Sequence, residues 1–104
     1  MSESPYILEG EIVLWPGEVR IYNMHWPEFD TVGSGISEAY VSGSTVSVLT
    51  GSEVTVGNIH TMRTLTVPSG FGGNTVLLTS QVVVSGETFI KGIVIRVLQP
   101  GETP

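Results

Sequence analysis

The chain has 104 residues, a formal net charge of −6 and no cysteine. Charged residues make up 13% of it, about half the usual quarter, against a hydrophobic share of 40%. These figures exclude a disulfide framework, a thiolate nucleophile, an Fe–S cluster and a cysteine-based zinc site.

The basic residues are Arg20, Arg63, Lys91 and Arg96, and they are scattered. A phosphate-tracking surface needs such charges in a cluster, so no nucleic-acid partner and no anionic membrane partner is expected. No apolar run reaches the roughly 18–20 residues that span a bilayer as a helix. The start, Met1-Ser2-Glu3-Ser4-Pro5, has no positively charged segment, so no signal peptide is expected and the mature protein is expected to be the translated one. The length suits a single domain that buries roughly 60–70% of its unfolded surface.

Apolar residues recur at every second position, and Val, Ile and Thr dominate. That period and those β-branched side chains predict strands, and no segment has a sustained helical period. The first strand is expected over Ile7 to Leu14, ended by Trp15-Pro16-Gly17, where Pro presets φ and Gly allows a positive one. The second runs from Val19 to Trp26. Its parity slips, because Val19 and Ile21 share one face and Tyr22, Met24 and Trp26 the other. Either both faces are covered or a bulge sits near Ile21–Tyr22.

Strands then follow at Ile36 to Ser42, Thr45 to Thr50, Glu53 to Val56 and Ile59 to Val67, with Gly43-Ser44 and Gly51-Ser52 between. The stretch Pro68-Ser69-Gly70-Phe71-Gly72-Gly73 reads as a loop. The clearest strands are the last two. Val76, Leu78, Val82 and Val84 alternate along one, and Phe89, Ile93, Ile95 and Val97 along the other, with Ser85-Gly86-Glu87 as the hairpin between. About seven or eight short strands at this spacing predict an all-β fold, an immunoglobulin-like antiparallel β-sandwich, with a small closed barrel as the rival. Residues 1–6 read as an N-terminal arm, 7–98 as the domain and 99–104 as a C-terminal tail.

Catalytic constellations are sparse. His25 and His60 lie on different predicted strands and have no nearby set of further metal ligands, so neither a metal site nor a cofactor is expected. A Ser/His/Asp triad would have to use Asp30, the sole aspartate, and no serine sits in a nucleophile elbow. The pairs Glu9/Glu11 and Glu28/Asp30 suit solvated edges better than glycoside hydrolysis. Glu28 and Asp30 with backbone carbonyls are the one calcium candidate. The glycine loop around Phe71 precedes a strand and lacks the lysine of a phosphate cradle. A hydrolase would require His25, His60, Glu28 and Asp30 to converge in one pocket. No enzyme is expected.

The aromatic residues carry more. Trp15 beside Pro16 sits at a strand end, Tyr40 on a strand, and Phe71 at a loop tip, where it either folds back over the core or faces a partner. Trp15, Pro16, Tyr40 and Phe71 are therefore the candidate partner-binding residues.

Four stretches share a pattern: His25-Trp26, Gly35-Ile36, Leu65-Thr66-Val67-Pro68-Ser69-Gly70-Phe71-Gly72-Gly73-Asn74, and Ser85-Gly86-Glu87 leading into Ile93-Val94-Ile95-Arg96-Val97. Over residues 22–98 the chain resembles a group of small bacteriophage virion proteins of immunoglobulin-like fold, the fiber–tail adaptors and the capsid decoration or cement proteins. The resemblance implies a non-catalytic structural part of a virion, assembled in the host cytoplasm. It would be a homo-oligomer or be present in many copies, docked on the major capsid protein or on a tail or fiber protein. Low charge fits a subunit enclosed by neighbours, and weakly charged strands suit edge-to-edge β-augmentation. The alternative is an immunoglobulin-like carbohydrate- or protein-binding module with Trp15, Phe71 or Tyr40 as its platform.

Overall fold

The computed structural model describes residues 12–99 and residue 101. The N-terminal arm, residues 7–11 of the first predicted strand and the tail positions 100 and 102–104 lie outside the described residues.

The protein is all-β. Its strands are β1 (Ile12–Leu14), β2 (Val19–Arg20), β3 (Asn23–His25), β4 (Gly35–Val41), β5 (Ser44–Thr45), β6 (Leu49–Thr50), β7 (Val54–Val56), β8 (Ile59–Thr61), β9 (Thr64–Thr66), β10 (Thr75–Val84) and β11 (Glu87–Val97). A single 3-10 turn over Ser69–Phe71 interrupts the loop before β10. One layer is a five-stranded sheet in the order β1-β11-β10-β4-β5, in which β1 runs parallel to β11 and the other pairs are antiparallel.

The second layer consists of two three-stranded sheets, β2-β9-β6 and β3-β8-β7. Each strand predicted over 19–26 and over 59–67 is thus cut in two. The cuts fall at Ile21–Tyr22 and at Met62–Arg63, and the Met62 N–H donates to the Tyr22 carbonyl across them at 2.9 Å. The physical reason is parity. Along the later strand His60 and Met62 face the core, and then Leu65 and Val67 do. A regular strand cannot bury both sets, so the chain slips by one residue between them. In the earlier strand Met24 and Trp26 are buried while Val19 and Ile21 stand outside. The predicted fourth strand also splits: β5 and β6 flank an irregular stretch at Val46–Val48.

The turns follow their residues. Ser42-Gly43 and Ser85-Gly86 all have positive φ (52° and 84°, 52° and 80°), the two-residue hairpin geometry that matches strand twist. The first turn therefore lies one residue earlier than the predicted Gly43-Ser44. Gly17, at φ 92°, follows Pro16 in a turn closed by the Glu18 N–H on the Trp15 carbonyl.

The core lies between the layers. Val76, Leu78 and Val82 on β10 and Ile93, Ile95 and Val97 on β11 meet Met24, Trp26, Met62, Leu65 and Val67 from the other side. All are at most 4% exposed. Burial of this kind contributes about 1.5–3 kcal/mol per large apolar side chain.

Candidate functional site

The apolar alternation of the large sheet fails once on each of its three central strands, at Ser37, Ser80 and Lys91. The register puts the three failures in one cross-strand row, Ser37 beside Ser80 and Ser80 beside Lys91. Ser37 and Ser80 are fully buried and Lys91 is 5% exposed. A polar row inside a sandwich needs partners, and the second layer supplies them at the level where its strands break.

His60, on β8 and fully buried, is the centre. Its Nδ1 lies 2.7 Å from Ser80 Oγ and its Nε2 2.8 Å from Glu53 Oε1. The indole N–H of Trp26 donates to the same Ser80 Oγ at 3.3 Å. One assignment satisfies every group: Trp26 N–H to Ser80, Ser80 O–H to His60 Nδ1, and His60 Nε2–H to Glu53. Beyond Glu53 the chain reaches β4. Glu53 Oε2 accepts from the Ser37 backbone N–H at 2.7 Å and from the Ser37 hydroxyl at 2.8 Å. Arg63 Nε lies 3.1 Å from the same carboxylate, and an Arg63 NH2 group donates to the Ser37 carbonyl at 2.7 Å.

Gly35 makes room for this. A Cβ there would sit 2.4 Å from His60 Cδ2, so the imidazole packs flat against β4 only because position 35 is glycine. Burial raises the Glu53 pKa, but the hydrogen bonds from Ser37 and from His60 more than offset it, leaving the carboxyl below its usual range.

The arrangement is a Ser–His–carboxylate chain with the spacing of a catalytic triad, but it is closed. His60 and Ser80 have no exposed surface, and the Ser80 oxygen already serves Trp26. An attacking hydroxyl must reach a substrate carbonyl, and none can approach this one. What the network does is structural. It joins the two layers and occupies both backbone groups of Ser37, while Ala39 accepts from Val46 further along. The free side of β4 is thereby closed by side chains and by β5. At Ser37 this side of β4 offers no free N–H or C=O to an added strand.

The other polar cluster surrounds Lys91. Its ammonium lies 3.1 Å from Glu28 Oε1, 3.3 Å from the His25 carbonyl and 4.6 Å from the Trp26 ring centroid. Burial raises the Glu28 pKa, but its own backbone hydrogen bond and the bond and charge of Lys91 outweigh that, so its carboxyl also sits low. Phe29 packs on Phe89 beside it, with ring centroids 4.9 Å apart.

His25, His60, Glu28 and Asp30 do not converge. His25 and Asp30 are exposed, Glu28 is engaged by Lys91, and His60 points into the core. His60 is fully buried. Glu53 was the missing acid: a search confined to aspartate overlooks it.

Of the aromatic candidates, Trp15 is 41% exposed and Pro16 half-buried, in the turn after β1. Phe71 is half-buried and packs against the core, folded back over it. Both segments lie at the end of the large sheet where β11 finishes, since Leu14 pairs with Val97 and the Gly73 N–H donates to the Val97 carbonyl. Tyr40 is elsewhere, half-buried on the outer face of β4.

That outer face holds an open trough of about 710 Å3. Register builds it in three rows. Tyr40, Leu77 and Val94 form one wall, Gln81 and Ile90 the other, and Glu38 and Thr79 with the side-chain-free Gly92 form the floor. The loops at Ser42-Gly43 and Gly73-Asn74 border it.

Comparison with protein-family models, with curated proteins and with solved structures finds no match to this chain.

Proposed function

We propose that the protein is a non-catalytic structural module that docks on neighbouring protein subunits in a multi-copy assembly. One observation carries the reading: the Ser–His–carboxylate chain is sealed inside, while apolar side chains are placed outside. Val56 is 71% exposed, Val54 48% and Ile59 41%. Val54 pairs with Thr61, and Val56 with Ile59. The alternation of these strands puts Val54, Val56 and Ile59 together on the outer face of β3-β8-β7. A contiguous apolar patch of this kind marks an interaction surface, and a neighbouring subunit is the occupant that suits a chain with so few charges.

The virion form of this reading, a capsid decoration protein or a fiber–tail adaptor, rests on the sequence resemblance alone. An immunoglobulin-like topology belongs to the same reading. It is supported by the parallel pairing of β1 with β11 and by the order β11-β10-β4-β5, which parallels the G-F-C-C′ layer of variable-type domains. The doubled order of early, late and middle strands in the second layer parallels B-E-D.

Co-expression with the products of the adjacent reading frames tests the proposal. A complex of fixed stoichiometry that survives gel filtration, and that Val56→Lys abolishes, supports it. Wild-type protein that elutes alone beside every one of those products overturns it.

A further inference from the structure

The trough on the outer face of the five-stranded sheet lies apart from the apolar patch and asks for a different occupant. We infer that it is a binding site for a neutral oligosaccharide chain lying across the strands.

Shape comes first. The trough is half-open rather than enclosed, and its rows of side chains run across three strands, so it suits a chain better than a small compact molecule. Its lining alternates two chemistries. Tyr40, Leu77 and Ile90 offer a ring face and aliphatic surface to the C–H faces of sugar rings. Glu38, Gln81 and Asn74 offer a carboxylate and two amides, planar groups whose paired polar atoms meet adjacent hydroxyls. The side chains of these three make no hydrogen bond or ion pair within the described residues. Their capacity is therefore free for a ligand.

Charge narrows the class. Among the described residues no lysine or arginine lines the trough, and Glu38 is its one charged residue. Phosphorylated, sulfated or uronic-acid-rich chains would meet this carboxylate with no lysine or arginine in the described lining beside it. A neutral sugar meets no such penalty. The strand edge decides against a peptide. Peptides on sheets gain affinity chiefly from main-chain hydrogen bonds to a free edge, and the β4 edge beside the trough is taken by Glu53 and Arg63 at Ser37 and by β5 at Tyr40 and Val41.

The test is an array of neutral and acidic oligosaccharides, followed by titration calorimetry with the neutral hexasaccharides retained. Binding of neutral chains is expected, weakened about tenfold or more by Tyr40→Ala and about fivefold by Gln81→Ala. Thr79→Arg fills the floor without removing a wall and is expected to abolish binding at an unchanged melting temperature. That variant separates a lost site from a lost fold. The assignment is overturned if no neutral saccharide binds at about 1 mM, a concentration that would detect even a weak site. It is equally overturned if acidic chains are preferred, if Thr79→Arg binds like the wild type, or if a parallel peptide array is retained in place of sugars. None of these outcomes touches Val54, Val56 or Ile59, so the docking proposal stands or falls separately.

Discussion

Replacing Glu53 by alanine removes the one carboxylate that serves His60, Ser37 and Arg63 together. The Ser37 N–H and O–H, at 2.7 and 2.8 Å, and the His60 Nε2–H, at 2.8 Å, lose their acceptor in a setting where Ser37 and His60 are fully buried. Each buried donor left unpaired costs about 1–3 kcal/mol. The Glu53 side chain is 22% exposed, so water enters and offsets part of this. The expected net loss is about 3 kcal/mol, which for a domain of this size lowers the melting temperature by roughly 12–24 °C. Glu53→Gln keeps an acceptor for Ser37, and His60 can reverse its tautomer to accept from the new amide, so about 1 kcal/mol is expected there. The carboxyl titrates lower in the folded protein than in the unfolded chain. Its contribution is therefore fully present above the unfolded glutamate value of about 4.3, and it is lost as pH falls below that through the folded value. Urea titrations followed by circular dichroism at neutral and acid pH read both effects. Stability in Glu53→Ala within about 0.5 kcal/mol of the wild type, the range of an ordinary surface substitution, or an acid-induced loss in Glu53→Gln equal to the wild type's, would refute the role assigned to this carboxylate.

Other positions give independent checks. Gly35→Ala drives a methyl to within 2.4 Å of His60 Cδ2 and should cost about 2 kcal/mol in the same titrations, as overpacking does. Ser80→Ala strips the Trp26 N–H and His60 Nδ1 of their common partner; a loss of about 2 kcal/mol is expected, together with a changed tryptophan near-ultraviolet signal. Phe71→Ala should lower stability by about 1 kcal/mol, since its ring is half-buried against the core, and should leave complex formation unchanged in gel filtration.

The large sheet was legible in the sequence because its strands obey a period of two for most of their length. Val76, Leu78 and Val82 face the core as their spacing requires, and so do Ile93, Ile95 and Val97. The second layer was less legible. Its strands are cut by one-residue slips, and a slip at Met62–Arg63 is visible only as two apolar sets of opposite parity, which also fits a strand covered on both faces. The polar network left a trace, the three interruptions at Ser37, Ser80 and Lys91. Their meaning depends on register, which aligns them into one row, and register is not readable from one strand at a time. Glu53 was hidden for a related reason. It lies in the break between β6 and β7, where alternation no longer tells which way a side chain points. Phe71 was undecided because a glycine-rich loop permits either orientation, and packing against the core decides it.

Sedimentation velocity of the purified chain, alone and mixed with the products of its adjacent reading frames, tests the docking of Val54, Val56 and Ile59 most directly. The prediction is a species well above the 11.1 kDa of one chain, converted to that mass by Val56→Lys with the melting temperature unchanged. A wild-type chain that sediments at the single-chain mass in every mixture, at concentrations up to about 100 μM where even a weak contact of roughly 5–6 kcal/mol would be populated, would contradict it.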